Sequence, residues 1–259
     1  MSGYLSIRDV GMHFGGLHAL EGVSFEVEPG SVVGLIGPNG SGKTTLMNVI
    51  SGVYKPTAGV VEFKGKRIAD VPTHAVCRLG IARTFQVVKP FANLTVRENV
   101  AVGAMFGREG RRRAIRAAFD RAQELLEVVG LARVASRRAS DLTVPDRKRL
   151  EVAKALALDP ELLLLDEVMA GLNATEVDEA LELLRTVNGR GVTLIVVEHV
   201  MKAILSISTT MVVLAEGHKI AEGPPREVVN APQVIEAYLG TRFATREAKR
   251  RAAASEAGA

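Results

Sequence analysis

The sequence contains little cysteine, few aromatic residues and no long apolar run. Its 259 residues include one cysteine, Cys77, and no tryptophan. A single cysteine excludes an internal disulfide and fits a reducing compartment. Every apolar run is well short of the ~18 residues that a membrane-spanning helix requires, and the first residues lack the basic and then apolar order of a signal peptide. We therefore expect the chain to stay in the cytoplasm.

The basic residues are concentrated in two short segments. The formal net charge is +4, yet residues 108–116 and 242–251 each carry five Lys or Arg against one Glu. Each segment contributes +4, which leaves −4 for the rest of the chain. A nucleic-acid groove needs basic residues along one face, often with aromatic residues between them, and aromatic residues are only 4% here. We expect no nucleic-acid partner; solvated faces or contact with acidic lipid headgroups remain open for the two segments.

A glycine-rich loop lies between an apolar run at 32–36 and a helix-like segment at 45–50. It has the form G-x-x-x-x-G-K-[ST] and consists of Gly37, Pro38, Asn39, Gly40, Ser41, Gly42, Lys43 and Thr44. In such loops the backbone N–H groups surround a polyphosphate, and the following helix N-terminus adds positive potential. The strand and helix on either side disfavour the alternative, a simple turn. We predict that the loop and Thr45 bind ATP, with Lys43 at the β- and γ-phosphates and Thr44 on Mg²⁺.

Two carboxylates follow a second apolar run, residues 162–165. Asp166 and Glu167 come directly after it, and in an open α/β sheet ligands bind at this carboxyl edge of the strands. We expect Asp166 to hold Mg²⁺ through its waters and Glu167 to orient and deprotonate an attacking water. An exposed acidic strand end without a ligand is the alternative.

Two further polar residues follow strand-like segments. His199 comes after the apolar run 192–197, where an imidazole can sense or stabilise the γ-phosphate, although a lone histidine is more often structural. Gln86 follows a predicted strand at 80–85, at the junction with a helical region. Its amide is expected to meet both Mg²⁺ and the attacking water.

The apolar spacing predicts an α/β fold that a helical region interrupts. Residues 4–36 read as strands, and 60–63 with 67–68 read as a small antiparallel flap. Residues from about 87 to 158 have helical spacing, and the later strands and helices alternate, as in a mostly parallel sheet. The predicted elements are helices at 95–105, 114–129, 147–158, 175–187 and from about 200, and strands at 162–165, 192–197 and 211–215.

The order of these motifs resembles the ATP-binding cassette (ABC) family of transporter ATPases over about residues 5–240. The resemblance implies a P-loop NTPase core of mostly parallel sheet with an antiparallel β flap and an inserted α-helical subdomain. We expect one ABC ATPase domain at 4–240, with its core at 4–86 and 159–240, the helical subdomain at about 87–158, and a loose basic tail at 241–259. The loop resembles Walker A, and the other matches are Gln86 with the Q-loop, Asp166 with Walker B, Glu167 with the catalytic glutamate, and His199 with the switch histidine.

Two family positions have simple structural alternatives. Phe14 lies where the family stacks an aromatic ring on adenine, although a phenylalanine is more often a core residue. Residues 170–173 resemble the D-loop, which contacts the partner ATPase through a segment that here includes Gly171 and Asn173. Asn173 and Glu176 also form an Asn-x-x-Glu helix-capping pattern.

Four segments are similar to the cassettes of branched-chain amino acid importers. They are residues 13–20, 82–86, 94–100 and 166–173. The resemblance implies a second ABC ATPase subunit, more readily a heterodimer than a homodimer, two transmembrane permeases and, indirectly, a solute-binding protein. It places the chain at the cytoplasmic face of the membrane. Amides, urea or other carboxylates remain open as solutes, and a regulatory subunit of low turnover or a non-transport ATPase remains an alternative.

The family signature, Leu-Ser-x-Gly-Gln, is altered at residues 142–146. Thr143 keeps a hydroxyl, but Pro145 has no N–H group and Asp146 brings negative charge towards phosphate. A helix start with Thr143 as N-cap and Asp146 completing a capping box is the alternative. Loss of one preorganised donor costs about 10²-fold in rate. We hypothesise that this chain's loop forms the working ATP site and that its signature weakens the partner's site.

Overall fold

The protein, seen here in a computed structural model, is described for residues 4–84, 90–108 and 114–239. The strands are β1 (Leu5–Phe14), β2 (Leu17–Val27), β3 (Val32–Ile36), β4 (Ala58–Phe63), β5 (Lys66–Arg67), β6 (Ile81–Arg83), β7 (Leu162–Asp166), β8 (Thr193–Val197), β9 (Thr210–Ala215) and β10 (His218–Gly223). The helices are α1 (Lys43–Ile50), α2 (Thr73–Arg78), α3 (Val96–Met105), α4 (Ile115–Val128), α5 (Val144–Leu156), α6 (Ala174–Gly189), α7 (Met201–Ile207), α8 (Pro225–Val228) and α9 (Pro232–Leu239).

The central sheet has the strand order β10-β9-β3-β8-β7-β6. Its strands from β9 to β6 pair in parallel, and β10 adds an antiparallel edge. Every residue of β3, β7 and β8 is buried, as expected for parallel strands covered on both faces. The prediction of a mostly parallel sheet is therefore confirmed, and the ends of β3, β7 and β8 bring the predicted site residues to one edge.

A second, antiparallel sheet has the order β2-β1-β4-β5. It is larger than the predicted flap, because β1 pairs with both β2 and β4, so that β1 and β2 belong to this sheet rather than to the central one. Helix α1 lies between the two sheets, where Leu46 and Ile50 pack in one buried cluster with Phe63 of β4 and Leu164 of β7. The glycine-rich loop is thus anchored between both sheets.

The helices α3, α4 and α5 pack on one another. Val100, Leu125 and Leu150, one from each helix, belong to a buried cluster that continues to Leu165 of β7. Helix α3 begins as predicted, because Thr95 and Glu98 form a capping box. The helical region therefore shares its hydrophobic core with the strand that carries the carboxylates.

Helix α5 begins three residues before the predicted start at 147. Thr143 is its N-cap and accepts the N–H of Asp146 at 3.4 Å, while Pro145 lies in the first turn, where no N–H is needed. The predicted capping box is wrong in its second half, because among the described residues no bond runs from the Thr143 amide to the Asp146 carboxylate. Residues 144–146 are consequently helical, not a loop before the helix.

Several elements differ from the sequence predictions in length or were missed. Strand β6 covers 81–83 rather than 80–85, and β5 ends at Arg67. The missed elements are α2, β10, α8 and α9. Strand β10 has no fully buried residue, so its sequence lacks the apolar signal by which the other strands were recognised. Gln86 and the tail at 241–259 lie outside the described residues, as does part of segment 108–116.

In residues 4–84, 90–108 and 114–239, no helix combines the length and the apolar character that crossing a bilayer requires.

Candidate functional site

The glycine-rich loop can only form with glycine at its tightest positions. Gly37 and Gly42 have φ angles of 153° and 102°, a region that other residues rarely adopt. A Cβ atom on Gly37 would lie 2.1 Å from the carbonyl oxygen of Leu214, and one on Gly42 would lie 2.6 Å from that of Ala19. The backbone therefore approaches its neighbours too closely for any side chain, which fits a cradle of backbone N–H groups for phosphate.

Lys43, the first residue of α1, folds back into the loop. Its Nζ donates to the carbonyl oxygens of Gly37 and Pro38, each at 2.8 Å, and lies 3.4 Å from the Ser41 hydroxyl. Burial lowers the pKa of Lys43, and the nearby negative charges of Glu167 and Asp166 act in the opposite direction. The ammonium is thus a partly desolvated cation for which phosphate oxygens are stronger acceptors than carbonyl groups.

Asp166 ends β7 in a buried ion pair with Arg83. The Arg83 Nη2 donates to Asp166 Oδ2 at 2.9 Å, and Arg83 Nη1 donates to Asn48 Oδ1 of α1 at 2.6 Å. The two charged side chains are only 6% and 2% exposed. Arg83 was not predicted as a site residue from the sequence. The signal that could have indicated it is its position at the end of a short apolar strand. The predicted Mg²⁺ ligand is therefore already held by a cation that also contacts α1.

Glu167 and His199 come together at the ends of neighbouring strands. The His199 Nε2 and Glu167 Oε1 are 2.8 Å apart. The Glu167 amide donates to Val197 O at 2.9 Å, and its φ angle is +52°, which costs about 1–2 kcal/mol for a residue with a side chain. This turn directs Glu167 out of the strand and towards the imidazole, a geometry in which a histidine is able to orient a carboxylate.

Two residues missed from the sequence contact the peptide chain just after β7. Lys148 of α5 donates from Nζ to the carbonyl oxygen of Glu167 at 2.9 Å. The Glu198 carboxylate accepts the N–H of Met169 at 2.7 Å. Burial raises the pKa of Glu198 and lowers the pKa of Lys148. Glu198 precedes His199 and was detectable by position, whereas nothing in the sequence around Lys148 indicates its contact.

The remaining predicted site residues lie at the surface. Phe14 is 42% exposed and meets the ring of Tyr54 edge-on at 5.3 Å, so the alternative of a core phenylalanine is wrong. Asn173 forms a capping box with Glu176, so its helix-capping alternative is confirmed. Gly171 has a φ angle of 76° and open space around it.

The donor set suits a magnesium ion only together with other oxygen ligands. Among the described residues, no group of three or more His, Cys, Asp or Glu can hold a metal ion. Oxygen donors on the loop and at the neighbouring end of β7 include the Thr44 hydroxyl and the Asp166 carboxylate. Mg²⁺ commonly binds one or two protein oxygens and completes its octahedron with water and phosphate, so these residues fit a nucleotide-bound ion.

Two family profiles match the chain. One described as "ABC transporter" matches residues 20–170, and one described as "Branched-chain amino acid ATP-binding cassette transporter" matches residues 218–244. The chain is 40% identical over 248 residues to the high-affinity branched-chain amino acid transport ATP-binding protein LivG of Escherichia coli (strain K12), covering 91% of this chain and 97% of LivG. It is 39% identical to the corresponding protein BraF of Pseudomonas aeruginosa, with the same coverage.

Solved structures with the same fold include an ATP-binding cassette of an ABC transporter in its ADP conformation. It superposes with a TM-score of 0.83 at 30% identity, covering 93% of this chain and 100% of that chain. A nucleotide-free cassette has a TM-score of 0.82 at 29% identity, covering 92% of this chain and 99% of that chain. Both similarities extend over the whole arrangement of sheets and helices.

Proposed function

Because the chain belongs to the ABC transporter family and is an ATP-hydrolysing transport subunit, we propose that it energises the import of branched-chain amino acids or related small solutes. The C-terminal profile match and the names of LivG and BraF support this solute class. The observation that most directly supports the proposed catalysis is the 2.8 Å distance between Glu167 Oε1 and His199 Nε2. They lie at the sheet edge where the negative charges of Asp166 and Glu167 act on Lys43.

The proposed roles combine the geometry of the site with what the family resemblance implies. Glu167 takes a proton from the attacking water, and His199 holds the Glu167 carboxylate in place. Thr44, Asp166 and Gln86 would hold a magnesium ion, which would neutralise phosphate charge there. The exposed ring of Phe14 stacks on adenine, and the phosphates lie against Gly37, Pro38, Asn39, Gly40, Ser41, Gly42, Lys43, Thr44 and Thr45.

The proposed assembly contains a second ABC ATPase subunit, two transmembrane permeases and a solute-binding protein. In this assembly the chain is peripheral, at the cytoplasmic face of the membrane. We assign residues 4–240 to one ATPase domain, with a helical subdomain at about 87–158 and a basic tail at 241–259. Gly171 and Asn173 lie on the surface proposed to meet the partner ATPase, which is more readily a different chain than a second copy.

Pro145 supports a functional asymmetry between the two ATP sites. It is the second residue of α5 and cannot donate an N–H to a nucleotide on the partner. We propose that the site built on this chain's loop hydrolyses ATP and that the site facing Thr143, Pro145 and Asp146 is weaker. Mutating the partner's matching glutamate in the assembled transporter should then leave most hydrolysis. Loss of hydrolysis in that variant would contradict the asymmetry.

Solute uptake tests the transport part of the proposal. We would reconstitute the chain with its permeases, partner ATPase and binding protein in proteoliposomes that contain ATP, and measure uptake of labelled leucine. Lys43→Met should abolish uptake, because it removes the cation at the phosphates, whereas Lys66→Met, at an exposed strand residue, should not. ATP-dependent uptake of urea or an amide without leucine uptake would assign another solute, and steady-state ATPase activity near background would indicate the low-turnover regulatory subunit.

A further inference from the structure

The backbone of Glu167 is hydrogen-bonded to other parts of the protein through both its N–H and its C=O groups. Its N–H donates to Val197 O of β8 at 2.9 Å. Its carbonyl oxygen accepts from Lys148 Nζ, also at 2.9 Å, across nineteen positions of sequence. The residue at this point has a left-handed backbone conformation, which glycine tolerates and glutamate resists. These two hydrogen bonds fix the backbone conformation at Glu167, and the direction of its side chain depends on that conformation.

A second buried charged residue, Glu198, holds the chain at Met169, two residues after Glu167. Glu198 is 3% exposed, and its Oε1 accepts the Met169 N–H at 2.7 Å. The positive charge of Lys148 and the negative charge of Glu167 both act on this carboxylate. A buried carboxylate is costly unless it is compensated, and here backbone hydrogen bonds from Met169 and His199 and the positive charge of Lys148 all favour its ionised form.

Lys148 connects α5 directly to the sheet edge where Glu167 follows β7. Lys148, Pro145 and Val168 line the same small cavity, which lies between α5, the segment that follows β7, and α6. Lys148 is therefore seated one turn after the start of α5, with its cationic end on the chain that leaves β7. The side chain is half-buried, and the ammonium has both Glu167 and Glu198 within electrostatic range.

We propose that Lys148 and Glu198 are positioning residues that hold residues 167–169 so that the Glu167 carboxylate faces the attacking water. The inference rests on the proposed catalytic role of Glu167. Neither side chain contacts nucleotide in this account. Their loss should slow the chemical step and leave ATP affinity almost unchanged, because the loop and Lys43 are untouched.

The test compares matched variants of the assembled transporter. Lys148→Met removes the donor and keeps the aliphatic stem, whereas Lys148→Arg keeps a donor. Glu198→Ala removes the acceptor, whereas Glu198→Gln keeps an oxygen for the Met169 N–H. Lys66→Met serves as a surface control and Glu167→Gln as the catalytic reference. For each variant, kcat, the Kd for ATP and the melting temperature are measured.

The expected result is a split between turnover and binding. Lys148→Met and Glu198→Ala should lower kcat about tenfold or more, with the ATP Kd within about threefold of the unsubstituted protein. Lys148→Arg and Glu198→Gln should recover most of kcat. Normal turnover in Lys148→Met beside an inactive Glu167→Gln would overturn the inference and leave the function intact.

Two other outcomes have separate meanings. If Lys148→Met loses turnover, ATP binding and melting temperature together, and Lys148→Arg does not restore them, the residue is structural and the inference is wrong. If Glu167→Gln retains full hydrolysis, the proposed function of Glu167 fails, whichever result the Lys148 variants give.

Discussion

The charged residues proposed to act at the site each contact another group of the protein. Lys43 donates to loop carbonyls, Asp166 pairs with Arg83, and Glu167 contacts His199. Each contact keeps a side chain in place near the position where it is proposed to act, which reduces the reorganisation that the reaction requires.

Adding a single Cβ atom at Gly37 tests the described geometry of the loop. Because its Cβ position lies 2.1 Å from Leu214 O, Gly37→Ala must displace either the loop or β9. We expect ATP affinity to fall at least tenfold, measured by titration with a fluorescent ATP analogue. Gly191→Ala is the control, since Gly191 also has a positive φ angle but has open space around it. Unchanged affinity in Gly37→Ala would contradict the described loop.

Glu198 makes stability depend on pH in a defined direction. Burial raises its pKa in the folded state above the ordinary value of 4.5, so the folded state binds more protons than the unfolded state between these two values. The contribution of Glu198 to stability therefore falls as pH rises through this window. Glu198→Gln cannot ionise, so its melting temperature relative to the unsubstituted protein should rise across the window and then level off.

The control for this titration is Glu127→Gln, at an exposed position on α4. Its melting temperature relative to the unsubstituted protein should show no comparable rise. A Glu198→Gln curve parallel to that of the unsubstituted protein from pH 4 to pH 9 would count against a raised pKa.

At the scale of elements, Arg83 joins three parts of the core. It ends β6, pairs with Asp166 at the end of β7, and donates to Asn48 on α1. It therefore links the helix that follows the phosphate loop with the strand that carries the carboxylates. In the sequence, Arg83 also lies shortly before Gln86, which is proposed to meet Mg²⁺ and the attacking water.

Removing Arg83 should destabilise the protein strongly. Arg83→Met leaves the Asp166 charge buried without this partner, a change that typically costs about 3–5 kcal/mol. Urea denaturation should show a loss of this size in the free energy of unfolding. Arg8→Met is the control, because the Arg8–Glu62 ion pair has a 52% exposed arginine and should matter by less than about 1 kcal/mol. Equal effects of the two substitutions would refute a special role for Arg83.

The elements also show what could be predicted from the sequence. The loop at 37–44 and the cap at Thr95 were predictable because their information lies within a few consecutive residues. The Arg83–Asp166 and Lys148–Glu167 contacts were not, because periodicity does not encode pairings between distant segments. Strand β10 was missed because an edge strand without a buried face lacks an apolar pattern, and α5 was started late because Pro145 was placed in a loop rather than in a first turn.

At the scale of the whole molecule, the two sheets and the helical region all pack against elements that carry the proposed site residues. Helix α1 is buried between the sheets, and α3 to α5 share a core with β7. A movement of α5 therefore acts on the carboxylate edge through packing and through Lys148. This arrangement gives the proposed transporter a physical connection between the helical region, whose α5 begins at the residues proposed to face the partner ATPase, and the residues proposed to carry out hydrolysis.

The most direct test of the account is hydrolysis by the assembled transporter carrying Glu167→Gln. The substitution keeps the shape of the side chain but removes the base, so ATP should bind with nearly unchanged affinity while steady-state hydrolysis falls at least about 100-fold. Binding and phosphate release would be measured on the same preparation, with Glu127→Gln as the surface control. Hydrolysis at the level of the unsubstituted transporter would show that Glu167 is not the catalytic base and would contradict the central claim.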